Sequence, residues 1–188
     1  MKRAFLFIIA LLMMITLCAC GGDSGSATES GSAASDGSSA QTKTLDLKKE
    51  ADSIIQEYSL AGGKRYSSDS TVTGEYLDED LIRAYYGDAA EMPDFSQVEA
   101  YEVYIDESKP INPSEFGIFK MKDGADADTF ILFLKARIDL KLQNAKAYPT
   151  MDTEPLKTAV FKSKGGYVWY AVVKGGNDKI NKDLEGKV

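Results

Sequence analysis

Asp126-Ala127-Asp128-Thr129-Phe130-Ile131-Leu132-Phe133-Leu134-Lys135-Ala136-Arg137-Ile138-Asp139-Leu140-Lys141-Leu142-Gln143-Asn144-Ala145-Lys146-Ala147 decides the fold. Phe130, Leu134, Ile138, Leu142 and Ala145 recur at three- and four-residue spacing, so they form one stripe of a helix. Ile131, Phe133 and Leu140 flank the stripe and widen it at the front, which predicts a deeply buried first half. Tyr148-Pro149 ends the helix, because the residue before a proline is driven out of helical geometry.

Two pairs of strand-like segments bracket this helix. Val98–Ile105 alternates and is rich in Tyr and Val; Glu115–Lys122 follows a loop marked by Pro110 and Pro113 and stops at Asp123-Gly124. Beyond the helix, Leu156–Ser163 and Tyr167–Lys174 meet at Lys164-Gly165-Gly166, a hairpin signal. Before the strands, Leu47, Ala51, Ile54, Ile55 and Tyr58 share a helix face, with Asp46 as N-cap and Gly62-Gly63 as the stop. A short helix spans Leu77–Tyr86, its acidic start (Asp78, Glu79, Asp80) matching the positive end of the dipole and Gly87 its exit. A last short helix lies near Asp178–Leu184, after Gly175-Gly176. The order α-α-β-β-α-β-β-α predicts an α+β domain over 45–188. It is a four-stranded antiparallel sheet (β-β-α-β-β) with the long helix on one face, plus N-terminal and C-terminal helices.

The start of the chain is a different kind of sequence. Lys2-Arg3 precede a mostly apolar run, Ala4 to Leu17, and then Leu17-Cys18-Ala19-Cys20. A positive start, a greasy middle shorter than the ~20 residues of a membrane span and small residues before a cysteine form a bacterial lipoprotein signal. Residues 1–19 are then the signal peptide, cleaved between Ala19 and Cys20, and the Cys20 thiol carries a diacylglyceryl thioether. Two acyl chains anchor stably where one does not. Residues 20–44 are the lipidated cysteine and a Ser/Gly-rich tether that has no large apolar residue and cannot build a core. From Gly21 to Thr44 it reaches roughly 25–30 Å as a flexible coil. The expected location is the outer face of the cell membrane, with the membrane itself as partner through the lipid.

Composition removes whole classes of chemistry. The chain has 2 Cys and no His. One cysteine leaves with the leader and the other is lipidated, so the mature domain has neither a free thiol nor a disulfide. Without imidazole or thiolate, Ser-His-Asp and Cys-His catalysis are ruled out as usually built, and zinc, copper and haem are disfavoured. No cofactor and no metal is expected. Loss of Lys2 and Arg3 leaves 20 basic against 29 acidic residues, a mature charge of −9. Such a chain is repelled by nucleic acid, which is excluded as a partner.

The remaining constellations each admit two readings. Asp123, Asp126 and Asp128 crowd the start of the long helix; they fail the calcium-loop spacing, with Leu134 at its twelfth position, and read as helix capping. Arg137, among apolar neighbours, either clamps an anion in a pocket or pairs with a nearby acid. Tyr167, Trp169 and Ala171 share one strand face, while Val168, Tyr170 and Val172 share the other. One face must meet the helix, so at most one can offer rings to a glycan. Arg137, Tyr167, Trp169 and Tyr170 are the candidate ligand-binding residues. No acidic residue stands isolated in an apolar run, as a raised-pKa general acid requires, and no catalytic residue is assigned.

Several short pieces, in order, carry a family resemblance: Tyr86-Gly87-Asp88; Val98-Glu99-Ala100-Tyr101-Glu102-Val103; Glu115-Phe116-Gly117-Ile118-Phe119-Lys120; Leu134 and Arg137; Tyr148-Pro149; and Ala159-Val160 with Gly166-Tyr167-Val168. In these the chain resembles a family of lipoproteins of Gram-positive, clostridia-like bacteria with a C-terminal α+β domain of unassigned function. The resemblance implies an exported lipoprotein and brings no catalytic residues. The expected role is a non-catalytic binding or interaction domain that meets a cell-wall or envelope protein partner. The alternative is an envelope glycan hydrolase working through paired carboxylates.

Overall fold

A computed structural model describes residues 44–87, 93–106 and 113–188. The leader, Cys20, nearly all of the tether and the Pro110 loop lie outside the described residues.

The domain is α+β, and its sheet is antiparallel throughout. In chain order the elements are α1 (Leu47–Glu57), β1 (Lys64–Ser67), α2 (Glu79–Tyr86), β2 (Val98–Asp106), β3 (Ser114–Met121), α3 (Ala127–Asn144), α4 (Glu154–Lys157), β4 (Val160–Lys164), β5 (Tyr167–Val172) and α5 (Asn177–Glu185). The sheet order is β1-β2-β3-β5-β4. Five strands replace the four expected. The addition is β1, which pairs Lys64 with Ile105 through Ser67 with Glu102 at the edge. A second correction concerns Leu156–Ser163. Its first residues form α4, started by Pro155 in the first turn, where proline lacks only an N–H that would have no partner. The strand begins at Val160.

Local chemistry accounts for the helix ends. Asp46 accepts from the Lys49 N–H, Asp78 from Leu81 and Asp126 from Thr129, each satisfying a donor the first turn leaves free. The three acids at the start of the long helix therefore include its cap, Asp126, and a first-turn acid, Asp128, in line with the capping reading. The chain turns out of α1 at Ser59, in left-handed geometry (φ 50°), before it reaches Gly62-Gly63. At the hairpin, Gly165 and Gly166 both have positive φ (60° and 80°), the geometry a two-residue turn needs to match strand twist.

The sheet is covered on both faces. One face presents Tyr66, Tyr101, Val103, Phe119, Val168 and Tyr170 to α2 and α3, where Phe130, Ile131, Leu134 and Ile138 complete the core. The opposite face presents Tyr104, Phe116, Ile118, Tyr167, Trp169 and Ala171 to α1 and α5, through Ala51, Ile54, Ile180 and Leu184. Gly117 makes room for the rings on the α3 face. A Cβ there would stand 2.6 Å from Tyr170 Cε1 and 2.7 Å from Phe119 Cε2. The order of layers is helix, sheet, helix, with the terminal helices forming the layer opposite α3.

Candidate functional site

The surface with most to offer lies along α3, where it meets α2. Eighteen residues of α3 run about 27 Å at 1.5 Å per residue. The inward side is fixed by burial of Phe130, Ile131, Leu134 and Ile138. The outward side is also apolar. Leu132 is 62 % exposed and Leu140 55 %, with Ala136 exposed between them and Phe133 half-buried beside them. The helix is thus apolar on two faces, inward and outward, with an exposed charged row, Asp128, Lys135 and Asp139, along one flank. An open groove of about 590 Å³ follows its length, walled on the α2 side by Ala84, Tyr85 and Tyr86.

An ion cluster holds the floor of this groove. Glu115 of β3 is fully buried (0 % exposed) beneath α3. Arg137 grips it with both prongs, Nε to Oε1 at 2.9 Å and Nη2 to Oε2 at 2.8 Å, and Nη1 donates to the Tyr85 carbonyl at 2.9 Å. The guanidinium also lies over the Tyr85 and Tyr86 rings, 5.0 and 5.5 Å from their centroids. Lys141, one turn along α3, donates to the same carboxylate. Burial alone would raise the Glu115 pKa, but Arg137 and Lys141 outweigh it and hold the carboxyl below its ordinary value. Burial raises the Tyr86 and Tyr170 phenols, which hydrogen-bond each other at 3.0 Å. The cluster ties α2, α3 and β3 together, so the groove has a rigid base.

Each residue singled out in the sequence now has a place. Arg137 belongs to this cluster, and pairing with an acid describes it. Tyr167, Trp169 and Tyr170 are buried in the two cores, so they form no exposed aromatic platform. The reason is that α1 and α5 take the face α3 does not. Tyr167 donates or accepts nothing at the surface; its hydroxyl accepts the Leu45 N–H at 3.0 Å. Trp169 Nε1 donates to Asn181 at 3.1 Å. Glu115 is a buried acid that no apolar run in the sequence marked, since Pro113-Ser114 precede it. It is ionised rather than held as a neutral acid, because two cations face it. Two other buried carboxylates are engaged as well: Glu102 with Arg65 and Ser67, and Glu50 with Lys187. Among the described residues no cluster of acids can hold a metal ion, and no helix is long and apolar enough to cross a membrane.

Sequence reading alone missed Leu132, Tyr85 and Lys141. A signal for the first was present: Leu132, Ala136 and Leu140 stand four residues apart, a second apolar row outside the stripe assigned to the core. No protein-family model, curated protein or solved structure matches this chain.

Proposed function

We propose that this chain is a lipid-anchored protein on the outer face of a bacterial membrane, held by diacylglyceryl Cys20. In this reading the domain is a non-catalytic interaction module that binds a protein in the envelope through the outward face of α3. The likeness to clostridia-like lipoproteins remains part of the proposal, resting on the dispersed residues quoted above. The observation that carries the binding role is the exposure of Leu132 and Leu140 on a helix whose base is pinned by the Arg137–Glu115 pair. Large aliphatic side chains in a row on a rigid element lose water favourably when a partner covers them, at about 25 cal/mol per Å². The engaged state of Glu115 supports a binding role over hydrolysis. A general acid must hold a proton near neutral pH, and this carboxyl is shifted the other way.

The anchor is tested by Cys20→Ser, followed by fractionation and mass spectrometry. The expected result is an uncleaved, unacylated precursor; processing like the wild type, or an unmodified residue 20 in the mature wild-type chain, removes the anchor from the reading. The binding face is tested with p-benzoylphenylalanine in place of Leu140 in intact cells. Irradiation should give a discrete adduct that Ala136→Glu abolishes, while the same probe at exposed Lys182 gives none. An adduct indifferent to Ala136→Glu, or none at all, rejects α3 as the contact surface.

A further inference from the structure

The outward face of α3 is self-complementary, and its pattern names the partner. Leu132 and Leu140 lie four residues on either side of Ala136, at nearly equal angles from it on the helix surface. A two-fold axis through Ala136 therefore sets Leu132 of one copy against Leu140 of another, with alanine against alanine where the helices cross. A small residue at the crossing lets the backbones approach, and the i±4 rows interdigitate. Phe133, on the α2 side of the seam, faces Leu140 of the second copy by the same operation.

Charges on the other flank follow the same symmetry. Asp128, Lys135 and Asp139 project along the side of α3 nearer β4, and Lys146 continues the row in the single turn of 3-10 helix at Ala145–Ala147. All four are exposed, and none forms an ion pair among the described residues. Reversing the helix about Ala136 sets Lys135 level with position 137 of the second copy, two residues (about 3 Å) from Asp139, and Asp128 level with position 144, two residues from Lys146, offsets that these side chains span. Symmetry repeats both pairs, so four opposite-charge contacts line one edge of an apolar seam.

We infer that α3 is the contact surface of an antiparallel homodimer, with its two-fold axis at Ala136. This rests on the binding role proposed for α3 and names its partner as a second copy. It is an isologous interface, which closes at two copies and leaves no surface open to growth. The mature charge of −9 on each copy opposes association in dilute solution. Confinement to one membrane by Cys20 raises the local concentration and lets a weak contact form.

The test uses the full-length chain in its membrane. Ala136→Cys puts two thiols at the axis, within reach of a disulfide, and Lys182→Cys on α5 is the control for random collision. The expected result is a reducible dimer at position 136 at least fivefold above that at 182. Lys135→Asp added to Ala136→Cys should return the yield to the control level, and Asp139→Lys added to both should restore it. A yield at 136 equal to that at 182, or one untouched by Lys135→Asp, overturns the dimer. The mass of the Leu140 adduct separates the two claims. Twice the protomer mass supports self-association. A different mass leaves α3 as a binding face and rejects the second copy as its partner. No adduct rejects both.

Discussion

Glu115→Gln lowers the free energy of unfolding by about 3–5 kcal/mol at neutral pH, read from urea denaturation of the mature chain. The substitution keeps the shape and removes one charge. It removes the charge that the buried Arg137 guanidinium grips with both prongs and that Lys141 shares. Breaking a buried pair from one side costs far more than the pair contributes, because the surviving ion has lost its water as well as its partner. The pH dependence has a definite sign. Glu115 has a folded-state pKa below its ordinary value, so the ionised pair contributes its full stability above that ordinary value. The contribution fades as pH falls through the lowered folded value. The gap between wild type and Glu115→Gln should therefore be widest at neutral pH and close in acid, where the wild type also carries a neutral group. A gap below 1 kcal/mol at neutral pH would mean that water reaches the cluster and the groove lacks a rigid floor. Replacing both partners, Glu115→Leu with Arg137→Met, should recover most of the loss, since both charges of the buried pair are removed and Lys141, which is partly exposed, can turn to water.

The same cluster shows what a sequence does and does not disclose. The helix over Phe130–Ala145 and the strands around it were legible because their apolar periodicities are long and regular. β1 was not. Lys64-Arg65-Tyr66-Ser67 offers one buried side chain, Tyr66, and its pairing with β2 is a matter of backbone hydrogen bonds that leave no periodic trace. The bond between Glu115 and Arg137 joins residues that sequence sets 22 apart, on a strand and a helix. The sequence showed an arginine in need of an acid but not which acid. Coverage of both sheet faces was in principle readable. The apolar stripe of α1, from Leu47 to Tyr58, had to be buried somewhere, and α3 already occupied one side. A sheet edge or face gives no such signal about solvent, and that is why Tyr167, Trp169 and Tyr170 read as candidates for a surface they do not reach.

Trp169→Ala tests that burial directly and should cost about 3–5 kcal/mol. The indole is fully enclosed (0 % exposed) on the face covered by α1 and α5, so truncation leaves a cavity that two helices anchored elsewhere cannot close. Loss of the ring also strips Asn181 of its indole donor. Trp169→Phe separates these two contributions. It restores most of the volume and leaves the hydrogen bond unmade, for a loss of about 1 kcal/mol. The chain has 1 Trp, so its fluorescence reports on this site alone. The native emission should lie at short wavelength, resist quenching by acrylamide, and stay unchanged when peptidoglycan fragments are added. An exposed ring on a glycan platform predicts the reverse in every respect: red emission, free quenching, a response to sugar, and a Trp169→Ala penalty within the ±0.5 kcal/mol of ordinary surface changes. Binding by this domain then has to occur away from the sheet, because its faces are spent on the two cores and the large aliphatic row left to solvent on α3 lies on the opposite side of the sheet from Trp169.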